Sequence, residues 1–285
     1  MEQRDFAVLV VGAGASGLGA AVRLGQAGVD DLAVLEKAGT LGGTWRDNTY
    51  PGCACDVPSA LYSYSFAPNP EWTRAFAGQA EIRAYLRDTA SRFGITERIH
   101  FGVEVTRAQW NAAEARWELE TSRGPHTARV LVAGTGPWHE PLIPDLPGLD
   151  GFPGEVFHSA RWNHDHDLAG KRVAVIGTGA SAVQFVPEIV PLVERLHLFQ
   201  RTAQWVLPKP DHHVPGVERF LLRRVPGAAT GVAQLGVRRD GDARARLPAP
   251  VAAAAGAEAR PGAVAAGRAR SGAAPEAHAG LHTRL

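Results

Sequence analysis

Two clusters of glycines in this sequence have the residue types and spacing needed to hold the phosphates of a nucleotide. Gly12-Ala13-Gly14-Ala15-Ser16-Gly17 follows the apolar run FAVLVV and opens an amphipathic stretch that reaches about Ala27. In a strand, turn and helix setting, Gly12 permits the tight turn, Gly14 lets the backbone approach a pyrophosphate, and Gly17 lets the helix pack on the strand. The pyrophosphate would sit at the helix N-terminus, where unpaired N–H groups and the helix dipole favour an anion. Glu36 ends a second apolar run, LAVLE, 22 residues after Gly14. A carboxylate there accepts hydrogen bonds from ribose hydroxyls, which predicts FAD or NAD at this first site. A tight structural turn without a ligand is the alternative.

The second cluster, Gly177-Thr178-Gly179-Ala180-Ser181-Ala182, follows the run RVAVI and has alanine at its third place, which the pattern allows. The same count of 22 from its second glycine reaches Arg201, again at a strand end. A carboxylate there would repel a 2′-phosphate, whereas a guanidinium pairs with it through two parallel bonds. Opposite charges at one geometric position predict NADP at the second site. Gly177, Gly179, Ser181, Arg201 and Thr202 are its expected cofactor-binding residues, with Gln200 as a further donor. A solvated arginine at a strand end is the alternative reading of Arg201.

Each cluster must be carried by a βαβ unit. Residues 5–36 read as strand, helix and strand, and residues 171–201 repeat the pattern. Between them lie an expected helix over Gln79 to Phe93 and three β-rich runs, IHFGVEVTRAQW, ARWELETS and HTARVLVAGTG, whose alternation predicts a small antiparallel meander. The expected fold is α/β, with two Rossmann-like three-layer dinucleotide-binding units, the second incomplete. The expected division is a FAD-binding domain over 1–140, a linker over 141–168 and the start of an NADP-binding domain over 169–225. A low-complexity tail over 226–285 completes it.

Carrying that framework, the chain resembles the N-terminal portion of class B flavin monooxygenases, and within them the Baeyer–Villiger monooxygenases. The resemblance runs from Asp5 to about Asp211. It rests on Gly42-Gly43-Thr44-Trp45, on Tyr50-Pro-Gly-Cys-Ala-Cys-Asp56-Val-Pro-Ser-Ala-Leu-Tyr62, and on Phe199-Gln-Arg-Thr202 through Trp205 to Pro208. Most specific is Phe152-Pro-Gly154-Glu-Val-Phe-His158-Ser-Ala-Arg-Trp162-Asn163, which matches F-x-G-x-x-x-H-x-x-x-W followed by P or D, with Asn163 departing at the last place.

The resemblance implies FAD at the first site and NADP(H) at the second. It also implies a two-step oxygenation in which NADPH reduces FAD and O₂ adds to give a C4a-peroxyflavin. That species attacks a ketone, and rearrangement gives an ester or lactone. By carry-over, Gly43, Thr44, Trp45 and Asp56 lie beside the flavin, Asp56 adjusts the electrostatics near the ring, and His158 and Trp162 couple NADP binding to the flavin site. Asp56 and His158 are thus the expected catalytic residues. Taken as residues alone, His158 reads as a structural histidine, Trp162 as a packing residue, and Asp56 before Val-Pro as a turn former. An N- or S-oxygenating flavin monooxygenase, or an inactive remnant that at most binds FAD, are the alternatives. The resemblance also implies a protein roughly twice this length, with the catalytic arginine in the part that has no counterpart here.

Composition bounds the rest. The chain has 285 residues, 30 basic and 29 acidic side chains, and a formal charge of +1, which gives no field to attract nucleic acid or an anionic membrane. Two cysteines in C-x-C spacing exclude a disulfide framework and the C-x-x-C redox pair, and fit a reducing cytoplasm. Histidines 164, 166, 212 and 213 beside aspartates read as solvated loops, with no metal expected. The resemblance implies a small ketone and O₂ as partners, and no nucleic acid, membrane or protein partner is expected. The last 60 residues contain 20 Ala, 9 Gly and 8 Arg, no aromatic residue, and a charge of +4 against −3 for the first 225. Such a stretch offers too little apolar surface to offset its ordering entropy, so a disordered tail is expected. Its alanine, glycine, proline and arginine content is also what a GC-rich gene yields out of frame, which predicts a frameshift near 226–229, testable in the nucleotide sequence.

Overall fold

The computed structural model describes residues 4–225; the expected tail lies outside the described residues. The first glycine cluster hangs on a strand with four β-branched or leucine residues in a row. That strand is β1 (Asp5–Val11), followed by helix α1 (Ala15–Gln26) and strand β2 (Leu32–Glu36), every residue of which is buried. Burial on both faces explains why β2 reads as a continuous apolar run and not an alternating one.

A short helix α2 (Thr44–Asp47), helix α3 (Gln79–Arg92) and strands β3 (Ile99–Phe101), β4 (Val105–Asn111), β5 (Arg116–Thr121) and β6 (His126–Ala133) complete the first unit. One six-stranded sheet has the order β3-β2-β1-β6-β5-β4. Its first four strands are parallel, with Val11 opposite both Leu35 and Ala133, and β6-β5-β4 are antiparallel. Because β2 and β6 flank β1 on opposite sides, the order in which strands are added reverses at β1. Ligands of open α/β sheets bind at that point, outside the carboxyl ends of the strands.

The meander differs from expectation in one respect. The run IHFGVEVTRAQW is two strands, because Gly102 takes φ +66° and turns the chain, its N–H donating to the Ala38 carbonyl at 3.1 Å. Ile99–Phe101 therefore extends the parallel sheet, and only β4, β5 and β6 form the meander.

Two apolar layers hold the unit. Leu18, Ala21 and Val22 of α1 pack with Ile82 and Leu86 of α3 against Val8, Val10 and Val34. Phe6, Leu9, Ala33 and Leu35 pack with Val103, Leu119 and Ala128. His126 sits in this second layer, fully buried and edge-on to Phe6 at 5.9 Å, and neither ring nitrogen has a partner. Burial, with His100 nearby, holds its pKa below the usual histidine value. The unfolded chain therefore binds the proton more readily, so this group removes stability as pH falls from about 6.5 toward its folded pKa. His126→Leu deletes two unpaired polar atoms and is expected to match or exceed the wild type at pH 7, and to weaken the loss of stability between pH 7 and 5. Urea melts at the two pH values check this; a steeper loss in the variant would refute it.

The second unit is β7 (Arg172–Ile176), α4 (Ala180–Ile189) and β8 (Arg195–Phe199), with the two strands parallel and Ile176 opposite Phe199. Val175, Ala182, Phe185 and Ile189 form its core together with Tyr50 of the first unit. Ile176 and Phe199 are more than half exposed. A further helix, α5 (Gly216–Arg224), has no counterpart in the sequence expectations. No helix among the described residues is long and apolar enough to cross a membrane.

Candidate functional site

The first glycine turn is built by close backbone contacts. Gly12 has φ +98° and donates to the Leu35 carbonyl at 2.8 Å, which ties the turn to the end of β2. A Cβ on Gly12 would stand 2.6 Å from the Gly134 carbonyl oxygen, and one on Gly17 would stand 1.8 Å from the Gly12 oxygen. Gly134, just past β6, is confined as well: a Cβ there would stand 2.9 Å from Gly17 Cα. Three glycines thus interlock where β1, β6 and α1 meet. Gly134 was not singled out in the sequence, although the Gly-Thr-Gly ending of the third β-rich run is its signal.

Gly14 differs. It caps α1 in an extended conformation with no side-chain hydrogen bond, so the first N–H groups of the helix stay free. A Cβ here would meet only Gly43, its nearest atom Cα at 3.6 Å. Gly43 itself takes φ +52°, and the Gly42 N–H donates to the Ala13 carbonyl at 2.9 Å, so the Gly42–Trp45 turn rests on the glycine turn. Thr44 opens α2, and Trp45 is buried, its indole N–H donating to the Tyr62 hydroxyl at 2.9 Å. The result is a cradle of backbone N–H groups with no side chain over it, which suits a pyrophosphate.

Glu36 is buried beside this cradle. Oε2 accepts from the Ala13 N–H at 2.7 Å, while Oε1 accepts from the Ala38 N–H and from Arg46, both at 2.9 Å. A carboxylate has about four acceptor positions, so roughly one remains for a ribose hydroxyl. Arg46, not anticipated from sequence, is held charged: burial works against its charge, but Asp47 and Glu36 raise its pKa further.

The second turn repeats the first. Gly177 has φ +104° and donates to the Phe199 carbonyl at 2.9 Å, and Gly179 caps α4 in the same extended conformation as Gly14. Registers decide which residues correspond. Val11 lies opposite Leu35 and Ile176 opposite Phe199, so the counterpart of Glu36 is Gln200, and Arg201 stands one residue beyond. Side chains agree, since Glu36 bonds to Ala13 and Gln200 to the equivalent Thr178 at 3.1 Å. The equal count of 22 residues is thereby corrected, because the second βαβ unit is one residue shorter between its turn and the end of its second strand. A neutral amide replaces the carboxylate, and the exposed Arg201 and Thr202 follow it.

Asp56 lies between the units, 57% exposed, with Oδ1 accepting from Gln184 of α4 at 2.7 Å and ion-paired with Lys209 Nζ at 3.6 Å. His158 caps the short 3-10 turn Ser159–Arg161, its Nδ1 accepting from the Ala160 N–H at 3.1 Å. Partial burial and Arg161 hold its pKa down. No hydrogen bond or ion pair among the described residues joins His158 to Asp56. Trp162 packs between Phe157 and Phe185, both at 5.2 Å, and Phe185 meets Tyr50 at 6.0 Å. Burial holds the pKa of the Tyr50 hydroxyl above the usual phenol range. His164 Nε2 meets Thr49 Oγ1 at 2.8 Å, and no metal-binding cluster occurs among the described residues.

A family model described as pyridine nucleotide-disulphide oxidoreductase matches residues 9–223. The chain belongs to that family. Cys53 and Cys55 of this member of the pyridine nucleotide-disulphide oxidoreductases are both free. Among its relatives is a Baeyer–Villiger monooxygenase of Streptomyces coelicolor, 61% identical over 77% of this chain and 42% of the relative. A solved oxidized steroid monooxygenase bound to NADP is 40% identical with a TM-score of 0.70, over 77% of this chain and 43% of that one. Another, OTEMO in complex with FAD and NADP, is 33% identical with a TM-score of 0.72, over 78% and 44%. The resemblance to the N-terminal portion of Baeyer–Villiger monooxygenases is borne out. The chain spans about two fifths of the length of the curated relatives it matches.

Proposed function

We propose that this chain supplies the FAD site and the start of the NADP site of an NADPH-dependent Baeyer–Villiger monooxygenase. The observation that carries the proposal is the pair of glycine turns with matching dihedral angles and free helix N-termini, one followed by Glu36 and the other by Gln200-Arg201. Gly12, Gly14, Gly17, Glu36, Gly43, Thr44 and Trp45 would hold FAD, the last three through the turn that leans on Gly14. Gly177, Gly179, Ser181, Arg201 and Thr202 would hold NADP. Bound flavin supplies the electron transfer and oxygen activation.

The protein's own residues bind and orient. Free N–H groups of α1 would bind one pyrophosphate and those of α4 the other, and Arg201 would pair with a 2′-phosphate. Asp56, within reach of both units, would fix charge at the junction, with His158 and Trp162 shaping the linker beside it. In balance, NADPH would give a hydride and solvent a proton, one atom of O₂ would enter the ketone to make an ester or lactone, and the other would leave as water. Residues 1–140, 141–168 and 169–225 would be the FAD domain, linker and NADP portion, in a cytoplasmic protein.

Purified chain with FAD, NADPH and a panel of ketones tests this through NADPH oxidation and ester formation. Flavin binding with stoichiometric ester supports the full reading. Flavin binding without turnover supports a second reading, a nucleotide-binding piece that needs further protein, which the exposed Ile176, Leu198 and Phe199 on β7 and β8 favour. Failure to bind flavin refutes both.

A further inference from the structure

Gln184 lies outside both nucleotide turns, yet every hydrogen-bonding position of its amide is filled, and all its partners belong to one loop of the first unit. Oε1 accepts from the Tyr50 hydroxyl and from the Ala54 N–H, both at 3.1 Å. Nε2 donates to the Ala54 carbonyl at 3.0 Å and to Asp56 Oδ1 at 2.7 Å. A primary amide has two acceptor lone pairs and two donors, so none is left over. The loop also rests directly on α4: a Cβ on Gly52, which has φ +75°, would stand 2.8 Å from Glu188 Cγ and 2.9 Å from the Gln184 carbonyl oxygen.

Beyond the loop the contacts continue to the first turn. Gln79 of α3 donates its N–H to the Cys53 carbonyl at 2.9 Å and its side-chain amide to the Trp45 carbonyl. Trp45 belongs to the turn whose Gly42 N–H bonds to Ala13 and whose Gly43 rests on Gly14. An unbroken series of contacts thus joins α4, capped by Gly179, to the cradle at Gly14.

We infer that Gln184 is a positioning residue that couples the two nucleotide sites, by making the place of the Tyr50–Asp56 loop depend on the place of α4. This rests on the proposed assignment of FAD and NADP to the two turns. A nucleotide at the N-terminus of α4 fixes the helix, Gln184 passes that placement to Asp56 and Ala54, and Gln79 passes it to the first cradle. Linkage requires the effect to be reciprocal: NADP⁺ must change FAD affinity by the factor by which FAD changes NADP⁺ affinity.

The test is the FAD dissociation constant, read from flavin fluorescence with and without saturating NADP⁺, and the reverse titration. Wild type is expected to show a factor between about 5 and 150. Gln184→Met keeps the side-chain length and removes all four bonds; its factor is expected to fall to within about twofold of unity, each nucleotide alone binding within about threefold of wild type. A merely structural role would weaken both affinities alike and leave the factor intact. Tyr50→Phe removes one bond and keeps the ring packing; an intermediate factor supports the inference, and this variant decides if Gln184→Met does not fold. Unlinked binding in wild type, or an unchanged factor in the variants, overturns the inference and leaves the proposed function standing. Failure of either nucleotide to bind overturns both.

Discussion

Gly17→Ala is expected to melt about 6–12 °C below wild type and to lose FAD binding with the fold. The new Cβ would lie 1.8 Å from the Gly12 carbonyl oxygen and 3.0 Å from its carbon, both backbone atoms. Relief requires the turn or the helix to move by more than 1 Å, on the order of the gap to ordinary contact. Neither has room. Gly134 crowds the turn from one side and Gly17 from the other, with a hypothetical Cβ on Gly134 only 2.9 Å from Gly17 Cα. Overpacking costs about 1–3 kcal/mol, and a clash with backbone belongs at the top of that range. At about 2–4 °C per kcal/mol for a domain of this size, 3 kcal/mol gives the stated drop. Gly14→Ala is the control, because its Cβ would meet nothing nearer than 3.6 Å. It should melt within about 0.5 kcal/mol of wild type yet bind FAD at least about tenfold more weakly, since its methyl fills the cradle. Thermal melts and flavin fluorescence titrations distinguish the two. A Gly14→Ala protein with unaltered FAD affinity would remove the pyrophosphate from this turn.

The contrast between these two glycines marks what a sequence conveys. The turns themselves were legible, because an apolar run, a glycine cluster and an amphipathic run follow one another with the period of each element intact. Strands Leu32–Glu36 and Arg172–Ile176 fall where their runs predict, and α3 ends one residue short of the expected Phe93. The motif already separates the packing role of Gly17 from the open place at Gly14, but Gly134, which confines Gly12 and Gly17 from more than a hundred residues away, was not legible. Gln184 was invisible for the same reason: its partners are 128 to 134 positions distant. The split at Gly102 was hidden because a β-rich run does not say which neighbour each half will pair with. Counting along the chain failed at Arg201, where a difference of one residue in connection length shifts the register, and only strand pairing shows it.

That shift sets the expected effect of replacing Arg201. With Gln200 at the place of Glu36, the second site lacks the carboxylate that would repel a 2′-phosphate, and Arg201 is the next residue along, exposed and without a hydrogen-bond partner among the described residues. A charge-assisted bond contributes about 1.5–3 kcal/mol, and exposure to solvent puts this one near 2. Arg201→Ala should therefore weaken NADP⁺ about 30-fold and leave NAD⁺, which has no 2′-phosphate, nearly unchanged. Gln200→Glu added to it recreates the arrangement at Glu36: the carboxylate can accept from the free ribose hydroxyl of NAD⁺ and repels the phosphate of NADP⁺. The double variant should move the NADP⁺ to NAD⁺ preference by about a hundredfold or more. Salt supplies an independent check, since raising ionic strength screens an exposed guanidinium–phosphate pair. In wild type it should weaken NADP⁺ more than NAD⁺, and in Arg201→Ala the two should weaken alike. An Arg201→Ala protein that loses both nucleotides equally would place the guanidinium on the shared pyrophosphate and remove the 2′-phosphate from this strand end.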